Sequence, residues 1–213
     1  MGQKVHPISF RTGINKDWSS RWFSRDADYK NLLAEDRATR EFLDTRLKPA
    51  GLSKIEIERS FDKRTITVFV SRPGIVIGRG GTGLEETKKQ LMKKLKLKDE
   101  GKMEFRVEEI KNPDLDAKLI AISCAEQLAK RIPHKRVIGS SLERIQRSGA
   151  KGGKIILSGR LGGAEIARKE SGKFGSIPLQ TIKADIDFAS IGAPTKAGLV
   201  GVKVWIFRGQ ENQ

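Results

Sequence analysis

The chain has 213 residues, enough to bury one large core or two small ones. Its 37% hydrophobic and 32% charged residues allow a folded protein, and the lack of a long apolar run argues against a membrane partner. The formal net charge of +16 at pH 7 lies outside the range of ordinary soluble enzymes and indicates a polyanionic partner, nucleic acid before membrane.

Residues 1–16 are predicted to form a basic N-terminal arm. They contain Lys4, Arg11 and Lys16 but no acidic residue. Such a segment is equally compatible with a frayed terminus and with an arm that binds RNA. It lacks the apolar core of a signal peptide, and Cys124, the one cysteine, cannot form an intrachain disulfide, so we expect a cytoplasmic protein.

Residues 17–111 are predicted to form an N-terminal domain. Pro73-Gly74 ends a strand, so we interpret Ile75–Ile77 as the start of a short helix. Apolar periodicity predicts longer helices over 29–47 and 82 to about 97, and strands over 55–59, 66–70 and 103–107. The resulting order, helix–strand–strand–helix–helix–strand, is that of a type II KH domain.

A glycine-rich loop, Gly78–Gly81, joins the short helix to the long helix that follows it. Glycine has no Cβ, so the N–H groups of such a loop can approach a phosphate, and the next helix adds the positive end of its dipole. The predicted KH loop, which clamps single-stranded nucleic acid, consists of Arg72, Gly78, Arg79, Gly80 and Gly81.

Two other interpretations of this loop stay open at the level of sequence. The spacing Gly78-x-Gly80-x-x-Gly83 also matches the fingerprint of a dinucleotide-binding enzyme. That fingerprint follows an uninterrupted strand, and Pro73-Gly74 leaves the preceding strand too short. A glycine turn without any ligand is the second alternative.

Residues 112–213 are predicted to form a C-terminal α+β domain. Asn112-Pro113-Asp114 combines an N-cap with proline at the first helical position, and Pro133 separates this helix from a second one that ends near Ser148. Strands follow over 155–158, 182–188 and 200–207, with a fourth near 166–173. The prediction is therefore an α+β protein of two domains, with two C-terminal helices packed on a mainly antiparallel sheet.

Positive charge is concentrated in one stretch of this C-terminal domain, residues 130–173. Residues 130–173 hold twelve basic residues against three acidic ones, whereas a solvated helix face usually mixes both signs. A surface that neutralises several phosphates releases their counterions, so we expect nucleic-acid binding that depends steeply on salt.

Catalytic and metal-binding patterns are poorly represented. His6, His134 and Cys124 lack the usual spacing of a zinc site. The chain contains neither a P-loop motif nor a nucleophile elbow. We therefore predict a protein that is not an enzyme and uses no cofactor and no metal.

Five sequence blocks resemble the bacterial S-three family of small-subunit ribosomal proteins. They are MGQKVHP (1–7), RPGIVIG (72–78), LDAKL (115–119), SGRLGGAEIAR (158–168) and GVKVWIF (201–207). They occur in the family's order across nearly the whole chain, and the eleven-residue block is specific where the KH loop alone is not. The resemblance implies a type II KH domain at about residues 38–107. It also implies a C-terminal domain on the small-subunit head that contacts rRNA and neighbouring ribosomal proteins.

The resemblance further implies basic residues at the channel through which mRNA enters the small subunit. In the family these residues lie on the helix after the domain boundary; the matches here are Lys135 and Arg136, with Arg131 one turn earlier. A further basic position of the family's cluster is matched here by Gly139, and the position next to it by Ser140. This chain departs from the family pattern there. Cations that grip each single strand favour the unwinding of incoming mRNA without ATP.

For contacts with small-subunit rRNA we nominate basic residues of the arm and of the basic block, namely Lys4, Lys151, Lys154, Arg160, Arg168, Lys169 and Lys173. Two alternative functions stay open. A free-standing KH regulator of RNA predicts a sequence preference for short single strands. A dinucleotide-dependent enzyme predicts saturable binding of the nucleotide.

Overall fold

Residues 3–60, 63–95 and 103–210 are described by the computed structural model of the chain, and they fold as two units. One unit is Trp18–Lys111, and the other combines Met1–Asp17 with Asn112–Gln213. Helix α1 (Pro7–Arg11) belongs to the second unit. Helices and sheets occur together in an α+β arrangement, which confirms the predicted fold class.

The first unit is built on a four-stranded sheet. Its elements are β1 (Ser20–Arg21), α2 (Asp26–Arg46), β2 (Leu52–Arg59), β3 (Arg64–Val70), α3 (Pro73–Ile77), α4 (Thr82–Leu95) and β4 (Met103–Glu109). The spatial order is β1-β2-β3-β4, with β2 and β3 antiparallel and β4 parallel to β3. The order from α2 to β4 confirms the type II KH prediction, including the short helix. Leu97, near the predicted end of the long helix, lies outside the described residues.

The apolar residues of this unit meet in one core. Alternate residues of β2 and β3 face it, because successive side chains of a strand point to opposite sides. Leu43, Leu47 and Leu91 close it from the helices, and each is at most 4% exposed. Leu33, nearer the start of α2, is 50% exposed, and Asp36 is the first buried residue along the described part of the helix.

The second unit has two helices on one face of an antiparallel sheet, as predicted. After a 3-10 turn at Pro113–Leu115 come α5 (Ala117–Ala129), α6 (His134–Arg147), β5 (Gly152–Gly159), β6 (Arg168–Gly175), β7 (Ala184–Thr195) and β8 (Gly198–Gln210). The strands lie in the order β6-β5-β8-β7, with antiparallel pairing throughout. Helix α5 packs on β7 and β8, and α6 packs on β5 and β6. The predicted fourth strand near 166–173 corresponds to β6.

Helix α5 begins later than the sequence suggests. Asn112, the predicted N-cap, makes no capping hydrogen bond through its side chain, and Pro113 starts the 3-10 turn instead. The observed N-cap is Asp116, whose carboxylate accepts a hydrogen bond from the Leu119 amide at 3.0 Å. The negative charge of Asp116 also suits the positive end of the helix dipole, which favours it over Asn112.

Residues 3–16, the described part of the predicted N-terminal arm, pack against the rest of the second unit. The Arg11 side chain is fully buried, and its guanidinium donates hydrogen bonds to the carbonyl oxygens of Pro7, Pro178, Leu179, Thr181 and Ala184. Lys16 adds an ion pair with Asp185 at 2.5 Å. A cation is buried favourably only where hydrogen bonds replace its hydration, so these contacts fix the segment in place.

Candidate nucleic-acid interface

The loop between α3 and α4 has a backbone conformation that requires glycine. Gly78, Gly80 and Gly81 have φ angles of 69°, 62° and 84°, in the left-handed region that other residues rarely adopt. Gly83 is needed for a different reason, since a Cβ there would lie 2.8 Å from the carbonyl oxygen of Val76. The start of α4 is therefore held closely against α3.

The predicted KH loop is open to solvent. Arg72 and Arg79 are exposed, and Ile75 and Ile77 beside the loop are 53% and 40% exposed. Cations next to an apolar surface suit the phosphates and bases of a single strand. Helix α3, and not a strand, precedes Gly78, which removes the structural basis of the dinucleotide alternative.

The residues predicted to face mRNA lie where α5 ends and α6 begins. Lys135 and Arg136 are in the first turn of α6, whereas Arg131 lies in the connection before it and not on a helix. All three are exposed, and none of them forms an ion pair with a described carboxylate. The φ angle of Arg131 is 61°, a conformation that side chains disfavour and that the surrounding turn must impose.

A small pocket of about 250 Å³ lies beside this connection. Arg131 and Arg160 both line it, so the fold brings a predicted channel residue next to a predicted rRNA-binding residue. The Arg160 guanidinium donates hydrogen bonds to the carbonyl oxygens of Ala164 at 2.9 Å and Ala197 at 3.2 Å. These bonds hold the Arg160 side chain in place beside the pocket.

Strand pairing places lysine and aromatic side chains in one row across the second sheet. Lys173 of β6 lies opposite Lys154 of β5, and Lys154 lies opposite Trp205 of β8. Trp205 in turn lies opposite Phe188 of β7. Ile155, the neighbour of Lys154 along β5, is fully buried in the core under the helices, so the row occupies the opposite, outer face of the sheet.

Further lysines extend this outer face. Lys203 on β8 and Lys169 on β6 are an even number of residues from Trp205 and Lys173, so they point to the same side. Two further nominated rRNA residues lie at strand ends: Lys151 precedes β5, and Arg168 begins β6. Both of these are exposed.

A groove of about 530 Å³ separates part of this face from the N-terminal segment. Its charged and aromatic lining consists of Lys4, His6, Lys154, Lys173, Phe188, Lys203 and Trp205. The Phe188 ring lies 4.9 Å, centroid to centroid, from both the His6 and the Trp205 rings. Burial lowers the pKa of Lys154, and the cations of Lys4, Lys169 and Lys173 lower it further.

Four groove residues, His6, Phe188, Lys203 and Trp205, were not among the nominated sites. Alternation along the last strand places Lys203 and Trp205 opposite a row of valines, and this is the signal from which they could have been selected. Phe188 and His6 carry no comparable signal. Their positions depend on strand pairing and on the docking of the N-terminal segment.

The described residues also bear on metal ligation, membrane-spanning helices and the free cysteine. No group of three or more His, Cys, Asp and Glu side chains there is placed to hold a metal ion. In the same part of the chain, no helix has both the length and the apolar character needed to cross a bilayer. Cys124 is buried against Ser141, and burial raises the pKa of its thiol, which keeps it protonated.

Comparison with known proteins assigns both halves of the chain. The sequence model of the KH domain family matches residues 38–115, and that of the ribosomal protein S3 C-terminal domain matches residues 124–206. The small ribosomal subunit protein uS3 of Persephonella marina is 46% identical over 211 residues, covering 99% of this chain and 92% of that protein. The uS3 of Dictyoglomus turgidum is 49% identical, with coverages of 98% and 84%, and that of Bacillus cytotoxicus is 47% identical, with 99% and 94%.

Fold, loop and matched domains together define a KH-domain protein, a class that binds nucleic acid. More particularly, the chain belongs to the family of small ribosomal subunit protein uS3. The resemblance noted in the sequence is thereby confirmed. This family is a structural, non-enzymatic component of the ribosome.

Proposed function

We propose that the protein is a structural component of the small-subunit head that binds small-subunit rRNA, contacts neighbouring ribosomal proteins and lines the mRNA channel. Its place in the ribosome, in the cytoplasm, follows from its family. One observation carries the mRNA role: Arg131, Lys135 and Arg136 are exposed and have no ion-pair partner among the described residues. The match along the full chain supports a structural role in the ribosome over that of a free-standing KH regulator.

The first turn of α6 carries two basic residues at the N-terminal end of the helix. The helix dipole is positive at this end, so positive side chains are least favourable there. Lys135 and Arg136 lie there without any acidic residue in the same turn. Exposed cations at a helix N-terminus are disfavoured by about 0.3–1 kcal/mol each, whereas anions are favoured there. A bound phosphate would therefore gain from both the side chains and the helix dipole.

Phosphate contacts of this kind hold RNA without reading its sequence. A channel that passes every mRNA needs this property. If the cations bind separated strands better than a duplex, they shift the equilibrium towards the open form by their difference in affinity, and no ATP is required. Lys135 and Arg136 are the residues that we assign to this step, with Arg131 supporting them from the connection.

Small subunits reconstituted with a Lys135→Gln, Arg136→Gln double variant test this proposal. We expect translation through a stable mRNA hairpin to slow several-fold, while translation of an unstructured mRNA keeps its rate. Arg147→Gln, which removes an exposed cation that pairs with Glu143 at 3.7 Å in the last turn of the same helix, is the control and is expected to have no effect. Equal rates for the double variant and the unmodified protein on the hairpin would refute the channel role.

A further inference from the structure

The groove on the outer face of the second sheet carries unneutralised positive charge. None of the described residues that line it is acidic. Lys4, Lys154, Lys173 and Lys203 form no ion pair with any described carboxylate. Glu170, which lies between Lys169 and Lys173 in sequence, contacts His134 of α6 at 3.0 Å and so points to the helix side. Lysines that repel one another at close range gain from a shared anion.

The groove also offers aromatic surface, which a site for phosphate alone does not need. Phe188 and Trp205 are half-buried, with ring centroids 4.9 Å apart and ring planes tilted by 44°. The Lys154 ammonium lies 5.8 Å from the centroid of the Trp205 ring. The volume of about 530 Å³ falls within the ~300–1,000 Å³ that is usual for sites of small organic groups. A nucleobase is a flat group of this kind.

We propose that this groove binds a single-stranded segment of small-subunit rRNA, with its phosphates on the lysines and a base against Trp205 and Phe188. The proposal rests on the proposed rRNA binding and assigns its site. A duplex keeps its bases stacked inside, so only an unpaired segment can use the aromatic rings. An acidic peptide would use the lysines but not the rings.

The position of the groove favours rRNA over mRNA as the occupant. The residues assigned to mRNA lie on the helix layer, and the groove lies on the opposite face of the same sheet. One wall of the groove, Lys4 to Pro7, belongs to the segment that the buried Arg11 holds on the sheet through its hydrogen bond to the carbonyl oxygen of Ala184 in β7. A site with walls fixed in this way suits a partner that stays bound, whereas mRNA has to move.

Binding of the purified full-length protein to fluorescent oligouridylate of about eight nucleotides tests the chemistry. We expect Lys154→Gln, Lys173→Gln to lower the slope of log K against log salt by about 1.4, since each phosphate contact on a single strand contributes about 0.7. Trp205→Leu is expected to weaken binding about five-fold to 150-fold, equivalent to about 1–3 kcal/mol for one stacked base. An abasic strand of the same length should be insensitive to this change.

Two further variants serve as controls. One distinguishes loss of base stacking from damage to the sheet, and the other distinguishes binding in the groove from binding at α6. Trp205→Phe keeps an aromatic ring and is expected to retain most of the affinity, so it tests stacking even if Trp205→Leu disturbs the sheet. Lys135→Gln, Arg136→Gln leaves the groove intact and should keep the Trp205-dependent part of the binding. If polyglutamate binds as tightly as the RNA, or if the abasic strand binds as tightly as the intact one, the proposal is overturned.

Cross-linking in reconstituted small subunits identifies the RNA. Thiouridine placed in the rRNA should cross-link to β7 or β8 in subunits that carry no mRNA. Cross-links that form there only from thiouridine in mRNA would contradict the assignment to rRNA. Cross-links confined to Arg131–Arg136 would overturn the groove while leaving the channel role intact. Conversely, the channel role alone would be refuted if cross-links formed in the groove and the Lys135→Gln, Arg136→Gln variant translated through the mRNA hairpin at an unchanged rate.

Discussion

The KH loop of the first unit and the groove of the second are two candidate RNA surfaces that arise in different ways. The loop is one short stretch, Gly78–Gly81, whose backbone angles follow from its own glycines. The groove draws its charged and aromatic lining from residues as distant in sequence as Lys4 and Trp205. A local site of the first kind can be recognised as a motif, whereas a composite site of the second kind exists only once strands have paired and the N-terminal segment has docked.

Arg11→Met is the change that should separate the two surfaces most strongly. It removes the guanidinium that donates to five carbonyl oxygens; a hydrogen bond to a charged group contributes about 1.5–3 kcal/mol, so we expect a loss of at least about 3 kcal/mol. Urea unfolding should show this loss, and hydrogen exchange should place it in the second unit. The matched change Arg72→Met at the exposed loop should stay within about 0.5 kcal/mol. Equal effects of the two changes would contradict the role of Arg11 as the anchor of the groove wall.

Gly83→Ala should act in the first unit alone. Its Cβ would lie 2.8 Å from the Val76 carbonyl oxygen and 3.2 Å from that of Ile77, so the start of α4 has to move. We expect a loss of about 1–3 kcal/mol, with faster hydrogen exchange in α3 and α4 and unchanged exchange in the second sheet. Gly74→Ala, where a Cβ meets nothing within 4 Å, is the control and should cost little. Faster exchange in the second sheet would show that the two sites are not independent.

Gly139→Lys should strengthen the helix layer without touching the groove. A Cβ at Gly139 meets nothing within 4 Å, and replacing glycine inside a helix stabilises it by about 0.5–1 kcal/mol. The added cation should also raise the rate of translation through a stable mRNA hairpin. Gly139→Ala gains the same helix stability without the charge, so thermal unfolding should shift in both variants and the hairpin rate only in the lysine variant. If both variants translated through the hairpin faster than the unmodified protein, the added charge would not be the cause of the faster translation.

The smallest expected effect concerns pH. The pKa of Lys154 is lowered by burial and by neighbouring cations, so this lysine loses its charge at a lower pH than an ordinary lysine. Moving from neutral pH to about pH 9.5 should therefore reduce the salt slope of RNA binding by less than the ~0.7 of one phosphate contact. Lys154→Gln should remove this pH dependence. Arginine stays charged over the same pH range, so RNA binding through Arg72 and Arg79 of the KH loop should not show this pH dependence.

Much of the fold follows from local patterns. A strand was predicted over 200–207, where Val200, Val202, Val204 and Ile206 alternate strictly with other residues, and all four are at most 2% exposed on the inner face of β8. Pro73-Gly74 correctly marked the change from strand to short helix. The start of α5 was misplaced because Asn112 and Asp116 are both good caps, and the choice between them depends on the surrounding structure.

The sequence by itself determined the order of helices and strands, the glycine loop, the basic character and the family of this protein. Each of these depends on residues that are neighbours in the chain or share one period. Only the tertiary structure decided that Arg11 is buried and that Lys154, Trp205 and Phe188 form one row. Arg11 and Ala184 are 173 residues apart, and strand register fixes which side chains of four strands meet. Contacts over such separations are set by the packing of the whole unit and leave no local pattern in the sequence.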